Sequence, residues 1–264
     1  KNDNSNGSTS GHVRVYEFLS TGWSQMGLDI DGESAGDNSG KSISLSDNGS
    51  IIAIGAPYND GNGNNTNAGH VRVYEFLSTG WSQLDSDIDG EGSNDASGEA
   101  ISLSNNGKLL AIGSRWNSGG GKINCGHTRV YEFSNSSWNQ LGSDIDGEAA
   151  SDLSGSSISL SGSGNLLAIG APQNANSSGS YAGHTRLFSN FIPTYSNGLN
   201  GEFCPGDTFN FSVPFGIGLS YLWNNGSTTN SINIHQPGYY AVTISKSTGN
   251  STSEIVSDTI FQLP

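Results

Sequence analysis

A motif of eight residues recurs along this chain at almost constant spacing. GHVRVYEF stands at Gly11–Phe18 and Gly69–Phe76, GHTRVYEF at Gly126–Phe133, and a shortened GHTRLF at Gly183–Phe188. The copies start near residues 11, 69, 126 and 183, which gives a period of 57–58 residues. We number them repeat 1 (11–68), repeat 2 (69–125) and repeat 3 (126–182). A fixed period predicts a repeat architecture in which each copy packs on its neighbours.

Each repeat consists of short apolar runs separated by Gly/Asn turns. In repeat 2, GHVRVYEF is followed by WSQLDSDI (Trp81–Ile88), ISLS (Ile101–Ser104) and KLLAIG (Lys108–Gly113). Runs rich in β-branched and aromatic residues between such turns favour strands. Four strands per repeat predict an all-β fold of four-stranded propeller-type blades. With about three repeats of 57–58 residues, the array is expected to be open or incomplete.

One run in each repeat is apolar throughout and is bounded by turn residues. This pattern predicts buried strands. The residues concerned are Ile52, Ala53 and Ile54, their equivalents Leu110, Ala111 and Ile112, and Leu167, Ala168 and Ile169.

The segments IGAP at Ile54–Pro57 and Ile169–Pro172, each before a Gly/Asn loop and a V/T-R-V/L-Y/F strand, resemble FG-GAP repeats. Integrin α-subunit heads and many bacterial surface proteins carry such repeats. The resemblance covers residues 1–190 and implies a propeller-like, extracellular domain. The chain departs from the family pattern in three ways: Ser-Gly replaces Phe-Gly, Ser114-Arg115 replaces Ala-Pro in the second copy, and the Asp-x-Asp-x-Asp-Gly calcium loop of the integrin type is absent.

The periodic pattern ends at Phe188, and residues 191–264 read as alternating strands. CPGDT (Cys204–Thr208), YLWNNGSTT (Tyr221–Thr229) and PGYYAVTI (Pro237–Ile244) resemble Ig-like or PKD-like modules of Bacteroidota surface proteins. That resemblance implies a C-terminal β-sandwich, with Trp223 in its core. Such modules often pair the first cysteine with a later one, but no later cysteine is present, so Cys204 is free or pairs outside the domain. Cys125 is expected to be a small buried residue.

The chain carries 24 acidic and 10 basic residues, for a net charge of −14. This balance repels phosphate backbones, so nucleic-acid binding is not expected. It also disfavours anionic membrane surfaces, and no run of apolar residues is long enough to span a bilayer. We therefore expect neither a nucleic-acid partner nor membrane insertion.

Half of the acidic residues lie at equivalent positions of three DIDGE-type loops. Clustered carboxylates beside a glycine suit calcium, which takes six to eight oxygen ligands. The alternative is a set of solvated Asp-Gly turns, because turns favour these residues for backbone reasons alone. The twelve candidate calcium ligands are Asp29, Asp31, Glu33, Asp37, Asp87, Asp89, Glu91, Asp95, Asp144, Asp146, Glu148 and Asp152.

Other side chains recur once per repeat and allow two readings each. The histidines before each first strand could bind a metal or could pack between blades; they are His12, His70, His127 and His184. The arginines two residues later are expected to bridge to an acid or carbonyl of a neighbouring blade. The tryptophans Trp23, Trp81 and Trp138 could stack on sugars or pack between blades. Asp258-Thr259-Ile260 resembles a Bacteroidota O-glycosylation motif, which makes Thr259 a candidate glycosylation site.

No nucleophile, acid–base pair or catalytic metal triad stands out in the sequence, so it predicts no enzymatic activity. GESAG (Gly32–Gly36) matches G-x-S-x-G but lacks the strand-turn-helix context of a nucleophile elbow. We expect an extracellular or cell-surface protein with a structural or adhesive role, self-associating into a filament by strand complementation. The alternative is a carbohydrate-binding or targeting module of a larger secreted enzyme. Surface glycans are possible partners, and calcium is the only cofactor expected.

Overall fold

The computed structural model describes residues 6–61, 66–78, 80–175, 179–189, 202–203, 209–212, 219–229, 231–236, 238–246 and 253–262. Within these residues, every regular element is a strand except one 3-10 turn, Gly119–Gly121, which confirms the all-β prediction. The chain divides into two compact parts, Lys1–Phe188 and Ser189–Pro264. We call them the repeat region and the C-terminal region.

Antiparallel sheets follow one another along the repeat region. Four short strands come first and pair as β1 with β4 and β2 with β3: β1 (His12–Val13), β2 (Tyr16–Leu19), β3 (Gly22–Gln25) and β4 (Ile30–Asp31). Sheet I contains β5 (Ser42–Leu45), β6 (Ile51–Ala56), β7 (His70–Leu77), β8 (Gly80–Gln83) and β9 (Ile88–Asp89). Sheet II contains β10 (Ala100–Leu103), β11 (Leu109–Ser114), β12 (His127–Ser134), β13 (Ser137–Gln140) and β14 (Ile145–Asp146). Sheet III contains β15 (Ser157–Leu160), β16 (Leu166–Ala171) and β17 (His184–Ser189).

The sheets do not coincide with the sequence repeats. In sheet I, β5 and β6 belong to repeat 1, whereas β7, β8 and β9 belong to repeat 2. From repeat 2 onward, the first strand of a copy pairs with the last strand of the copy before it; Ile54, for example, lies opposite Arg72. Each propeller-type blade is shared by two repeats, and consecutive repeats are tied together by backbone hydrogen bonds.

The WSQLDSDI segment, expected as one strand, forms two. It breaks at Asp85, which has φ of 70°, and at the equivalent Gly27 and Gly142 with φ of 72° and 70°. This left-handed conformation interrupts the strand locally without reversing the chain, because β8 and β9 both run antiparallel to β7. The long strand β7 then pairs with β8 at one end and with β9 at the other. The arrangement sets Asp89 opposite His70, so that the acidic loop begins beside the histidine.

The predicted core strands β6, β11 and β16 lie in the middle of their sheets and are buried. Ile52, Leu110 and Ile169 are each no more than 1% exposed, while Ala168 is half-buried. Burial of each large aliphatic side chain contributes about 1.5–3 kcal/mol. One apolar cluster joins side chains of sheets I and II, including Val73, Leu103 and Leu110. The repeat region therefore has a core that continues from one sheet to the next.

Polar contacts also join successive sheets. The backbone N–H of Leu103 donates to Ser44 Oγ at 3.0 Å, and that of Leu160 donates to Ser102 Oγ at 2.9 Å. The first serine of ISLS thus accepts a hydrogen bond from the next sheet, whereas the second accepts one within its own sheet, from the N–H of Ile51 to Ser46 Oγ and from that of Leu109 to Ser104 Oγ. This explains why the run keeps a hydroxyl at every second position.

The C-terminal region contains a four-stranded and a two-stranded sheet in the described residues, ordered β18-β23-β22-β20 and β19-β21. The strands are β18 (Glu202–Phe203), β19 (Phe209–Ser212), β20 (Leu219–Trp223), β21 (Ser231–Ile234), β22 (Gly238–Lys246) and β23 (Ser253–Gln262). Trp223 is 1% exposed and donates its indole N–H to the Thr229 carbonyl at 2.7 Å, which confirms it as a core residue. Thr259 lies in β23 opposite Tyr239. Cys204 falls outside the described residues.

No helix in the part of the chain that the structure describes is long and apolar enough to cross a membrane.

Candidate functional site

The four acids of each predicted calcium loop have different surroundings. In the loop of repeat 2, for example, the first acid, Asp87, lies beside His70 of the same repeat. The third acid, Glu91, faces His127, the histidine that opens repeat 3. The second accepts an arginine hydrogen bond on its backbone carbonyl, and the fourth is buried inside the loop. The structure therefore distributes the four carboxylates instead of gathering one loop around a single point. Calcium bound within one loop stays a prediction.

The fourth acid holds the loop in shape. Asp95 Oδ2 accepts hydrogen bonds from the Gly92 N–H at 2.8 Å and from Asn117 Nδ2 at 3.0 Å. Burial is the main influence on the Asp95 carboxyl and raises its pKa. The equivalent pairs are Asp37 with Asn59, at 3.0 Å, and Asp152 with Asn174, at 2.9 Å. These asparagines were missed at the sequence level, although each follows its aspartate by 22 residues.

The second acid anchors the arginine of the next repeat. Arg72, Arg129 and Arg186 each donate Nη2–H to a loop carbonyl at 2.7 Å, at Asp31, Asp89 and Asp146 respectively. The predicted bridge between an arginine and a neighbouring acid or carbonyl is confirmed. It brings the loop of one repeat against the first strand of the next.

A histidine and two carboxylates meet where repeats 2 and 3 join. His127 Nδ1 lies 3.7 Å from Glu91 Oε2 and 3.8 Å from Asp144 Oδ2. The His127 side chain is 1% exposed, and neither of its ring nitrogens has a hydrogen-bond partner. Burial, helped by the Arg129 charge, lowers the pKa of His127 to about 4 against the opposing pull of Asp144. The imidazole is therefore neutral near pH 7 and has a lone pair to offer.

The same cluster occurs where repeats 1 and 2 join. His70 Nδ1 lies 3.9 Å from Glu33 Oε2 and 3.6 Å from Asp87 Oδ2. The His70 side chain is 2% exposed, and burial lowers the pKa of its imidazole. In each cluster the donor atoms of all three side chains lie within 4.8 Å of one another. The glutamate comes from one repeat, and the histidine and aspartate come from the next.

Neighbouring side chains occupy the carboxylate oxygens that face away from the histidine. Gln83 donates to Asp87 Oδ1 at 2.6 Å, and Gln140 donates to Asp144 Oδ1 at 2.8 Å. The glutamate Oε1 atoms are approached by Arg72 Nη1 at 3.5 Å and by Arg129 Nη1 at 3.9 Å. Each carboxylate thus keeps its other oxygen turned toward the imidazole Nδ1.

The histidines at the two ends of the array lack this arrangement. His12 Nε2 is 4.0 Å from Asp29, but Arg14 donates to both oxygens of that carboxylate, at 2.9 and 2.8 Å. The hydrogen bond from Arg14 is the main reason that the pKa of Asp29 falls to about 2. His184 faces Glu148 through Nε2 at 3.5 Å. In the described residues, the two clusters above are the groups of three or more such ligands that come this close.

A polar cavity of about 330 Å³ adjoins the cluster between repeats 1 and 2. Five carboxylate side chains line it: Glu33, Asp37, Asp60, Asp87 and Asp89. The cavity joins the loop of repeat 1 to the loop of repeat 2, so carboxylates from neighbouring loops share one space. This pairing was not predicted from the sequence, although the offset of 17 residues from His12, His70 and His127 to Asp29, Asp87 and Asp144 is regular.

The recurrent tryptophans pack between repeats. Trp81 and Trp138 are half-buried, and each donates its indole N–H to a carbonyl of the preceding repeat. Trp23 is 72% exposed and packs edge-on against Phe18 with ring centroids 5.1 Å apart. The packing interpretation is confirmed for the first two. Cys125 is buried, as predicted, and forms no disulfide among the described residues.

Comparison with known proteins gives similarity in fold only. No family profile and no curated protein matches this chain. A periplasmic gluconolactonase of Pseudomonas aeruginosa is similar with TM-score 0.45 and 13% identity, over 97% of this chain and 66% of that one. A protein assigned as a 6-phosphogluconolactonase from Bacteroides uniformis has TM-score 0.34 and 10% identity, over 90% and 93% of the two chains. A prolyl endopeptidase has TM-score 0.37 and 12% identity, over 96% and 39%.

These comparisons contradict the predicted function. The chain was expected to be a non-enzymatic structural or adhesive protein that forms filaments, but the similar propeller-like structures are two lactonases and a peptidase. The prediction that the chain is not an enzyme is therefore wrong. It was drawn from the repeats, but proteins built from repeated blades include enzymes. Neither that function nor its alternative, a carbohydrate-binding or targeting module, is carried further. The similarity assigns no reaction to this chain.

Proposed function

We propose that the repeat region binds divalent cations at the junctions between consecutive repeats. The observation that carries the proposal is His127, a buried imidazole without a hydrogen-bond partner that faces the carboxylates of Glu91 and Asp144. A buried polar group without a partner costs about 1–3 kcal/mol. A bound cation removes that cost by accepting the Nδ1 lone pair.

The electrostatics of the junction favour the same conclusion. The Glu91 carboxyl has its pKa raised, first by burial and then by the like charges of Asp144, Asp95 and Asp146, with Arg129 acting in the opposite direction. Carboxylates that repel each other are brought together in each junction, and a cation offsets that repulsion. The net charge of −14 adds a long-range attraction for cations.

Calcium is the first ion to test, because the acidic loops predicted it. The cavity between repeats 1 and 2 supports this choice, since four carboxylates from two acidic loops, together with Asp60, face one volume of about 330 Å³. Calcium accepts several monodentate or bidentate carboxylates in flexible geometry. The ion in this proposal lies between two loops, whereas the sequence placed one ion in each loop.

Binding at a junction is coupled to the packing of the two repeats that supply the ligands. An ion that binds only the folded chain stabilises it by about 2.7 kcal/mol at a hundredfold excess over its dissociation constant. Thermal unfolding of the full chain, stripped with a chelator and then titrated with calcium, magnesium, manganese or zinc, tests the proposal. A rise in melting temperature with at least one ion supports it, and no change with any of the four refutes it.

A paired variant controls for non-specific binding to the acidic surface. Replacing Glu33 and Glu91 together with glutamine removes one ligand from each junction. Replacing Glu17 and Glu132 with glutamine removes the same charge from exposed strand positions. We expect the first pair to lose the ion-dependent rise in melting temperature and the second pair to keep it.

The remaining features of the sequence stand as parts of the same proposal. Residues 1–190 would be FG-GAP-like repeats and residues 191–264 an Ig-like β-sandwich, in an extracellular or cell-surface protein. Self-association, contact with surface glycans and glycosylation of Thr259 stay predictions.

A further inference from the structure

We infer that the junction ion is a first-row transition metal of the zinc type, bound by imidazole Nδ1 together with one carboxylate from each of two consecutive repeats, and that one chain holds two of them. The inference rests on the proposed function, because it identifies the ion of the same sites. The ligand sets are Glu33, His70 and Asp87 for one ion and Glu91, His127 and Asp144 for the other.

The donor atoms favour a nitrogen-accepting metal over calcium. Calcium takes six to eight oxygen ligands and gains little from an imidazole. Zinc and its neighbours bind imidazole and carboxylate with only three or four protein ligands. Arg129 lies beside Glu91 and leaves the cluster with a net charge of about −1, which weakens a purely charge-driven site for a hard cation.

The spacing of the donor atoms fits a small coordination sphere. Zinc–ligand bonds of about 2.0–2.1 Å place tetrahedral donor atoms about 3.3–3.4 Å apart. The distances from Nδ1 to the two carboxylate oxygens are 3.7 and 3.8 Å at His127, and 3.9 and 3.6 Å at His70. The nitrogen–oxygen distances need to shorten by only a few tenths of an ångström, and the two carboxylate oxygens, which lie within 4.8 Å of each other, approach through rotation of the half-exposed glutamate.

The surrounding residues are arranged as they are around metal ligands. In metal sites, groups outside the ligand set hold each ligand in place by bonding to its other atoms. Gln140 holds Asp144 through Oδ1, and Arg129 approaches Glu91 through Oε1. The oxygens left over, Oδ2 and Oε2, are those that face His127. Gln83 and Arg72 act in the same way at the other junction.

The stoichiometry follows from which junctions are complete. Asp29, beside His12, has both oxygens bonded to Arg14. His184 faces Glu148, but the repeat pattern ends at Phe188, so no aspartate corresponds to Asp144. The inference therefore predicts two zinc ions per chain, whereas calcium in the three acidic loops would give three.

Equilibrium dialysis of the full chain against zinc, followed by elemental analysis, tests the inference. We expect two ions in the wild type, one in Glu91→Gln and none in the variant that combines Glu33→Gln and Glu91→Gln. Each lost site is expected to bind more than about tenfold more weakly. The control Glu148→Gln removes an equivalent carboxylate from the incomplete junction and is expected to retain two ions. Because these glutamates are about half exposed, their replacement should leave the unfolding transition of the chelated protein in place.

Cobalt substitution tests the role of Nδ1 separately. The cobalt-loaded wild type should show the visible absorption of tetrahedral nitrogen–oxygen coordination, and His127→Ala should lose half of it. Three outcomes overturn the inference: binding of calcium without zinc, zinc bound equally by the wild type and the double glutamine variant, or cobalt absorption unchanged in a folded His127→Ala. The first leaves the proposed function standing, whereas the absence of binding by any divalent ion refutes both.

Discussion

Trp81 donates its indole N–H to the backbone carbonyl of Met26, one repeat earlier, at 2.8 Å. The indole N–H of Trp138 likewise donates to the Leu84 carbonyl at 3.3 Å, and the backbone N–H of Trp138 donates to Asp85 Oδ2 at 2.8 Å. The residues at the break in the WSQLDSDI segment thus accept hydrogen bonds from the tryptophan of the next repeat. Consecutive repeats are joined here, at the arginine–carbonyl bridges and at the histidine clusters.

We expect Trp81→Ala to destabilise the repeat region by about 2–4 kcal/mol, because it removes a half-buried ring and its hydrogen bond to Met26. Trp23→Ala deletes an equivalent ring that is 72% exposed, so its cost should stay below about 1 kcal/mol. Urea unfolding of both variants measures the difference. Equal losses in the free energy of unfolding for the two variants would show that the contact between Trp81 and Met26 contributes nothing to stability.

Replacing Ile112 with Asp should unfold the repeat region. Ile112 is fully buried in the apolar cluster that joins sheets I and II, and an unpaired carboxylate there has no partner or solvent. Ile123, which is 70% exposed, is the matched control, and its replacement with Asp should be nearly neutral. Circular dichroism and a thermal melt distinguish the two, and a normally folded Ile112→Asp would contradict the assigned core.

Asn117→Ala should cost about 1–3 kcal/mol, since it leaves the buried Asp95 carboxylate without its side-chain donor. The pKa of Asp95, already raised by burial, should rise further in this variant. An acid whose folded pKa lies above its unfolded value disfavours the folded state once ionised. The loss in Asn117→Ala should therefore shrink as the pH falls toward 4, and a loss independent of pH would contradict this role.

Without metal, His127 should make stability depend on pH. The pKa of His127 in the folded chain is about 4, below the usual histidine value of 6.5, so the unfolded chain binds the extra proton first. Stability from this group is present above pH 6.5 and is lost as the pH falls to about 4, by on the order of 3 kcal/mol. The free energy of unfolding is measured against pH, in the presence of a chelator, for the wild type and for His127→Gln. The variant should show a flatter dependence between pH 6.5 and about 4. Parallel profiles for the two proteins would show that His127 does not titrate as described.

The strands could be read from the sequence because their signals are local. The LLAIG run of β11, the ISLS alternation of β10 and the turn residues between them depend only on near neighbours in the chain. Those predictions hold, apart from the break at Asp85. A positive φ at a non-glycine residue has no strong sequence signal, although the equivalent Gly27 and Gly142 gave a hint.

The pairing of repeats could not be read from the sequence, for a physical reason. In a periodic chain a strand such as β7 can pair with the strand before it or after it, and both choices satisfy the same local pattern. The structure pairs β7 with β6, which brings Glu33 of one repeat to His70 of the next. The sequence predicted one calcium site from the four acids of each loop, and it offered the recurrent histidines as a separate set of candidate metal ligands. The site exists only after the repeats are joined.

Anomalous X-ray scattering from crystals of the full chain grown with zinc tests the central claim most directly. Data collected on both sides of the zinc absorption edge locate the metal without assumptions about its ligands. The account predicts two peaks that vanish below the edge, one among Glu33, His70 and Asp87 and the other among Glu91, His127 and Asp144. It predicts no peak at His12 or His184. Zinc bound only elsewhere, or no anomalous peak at either junction, would contradict it.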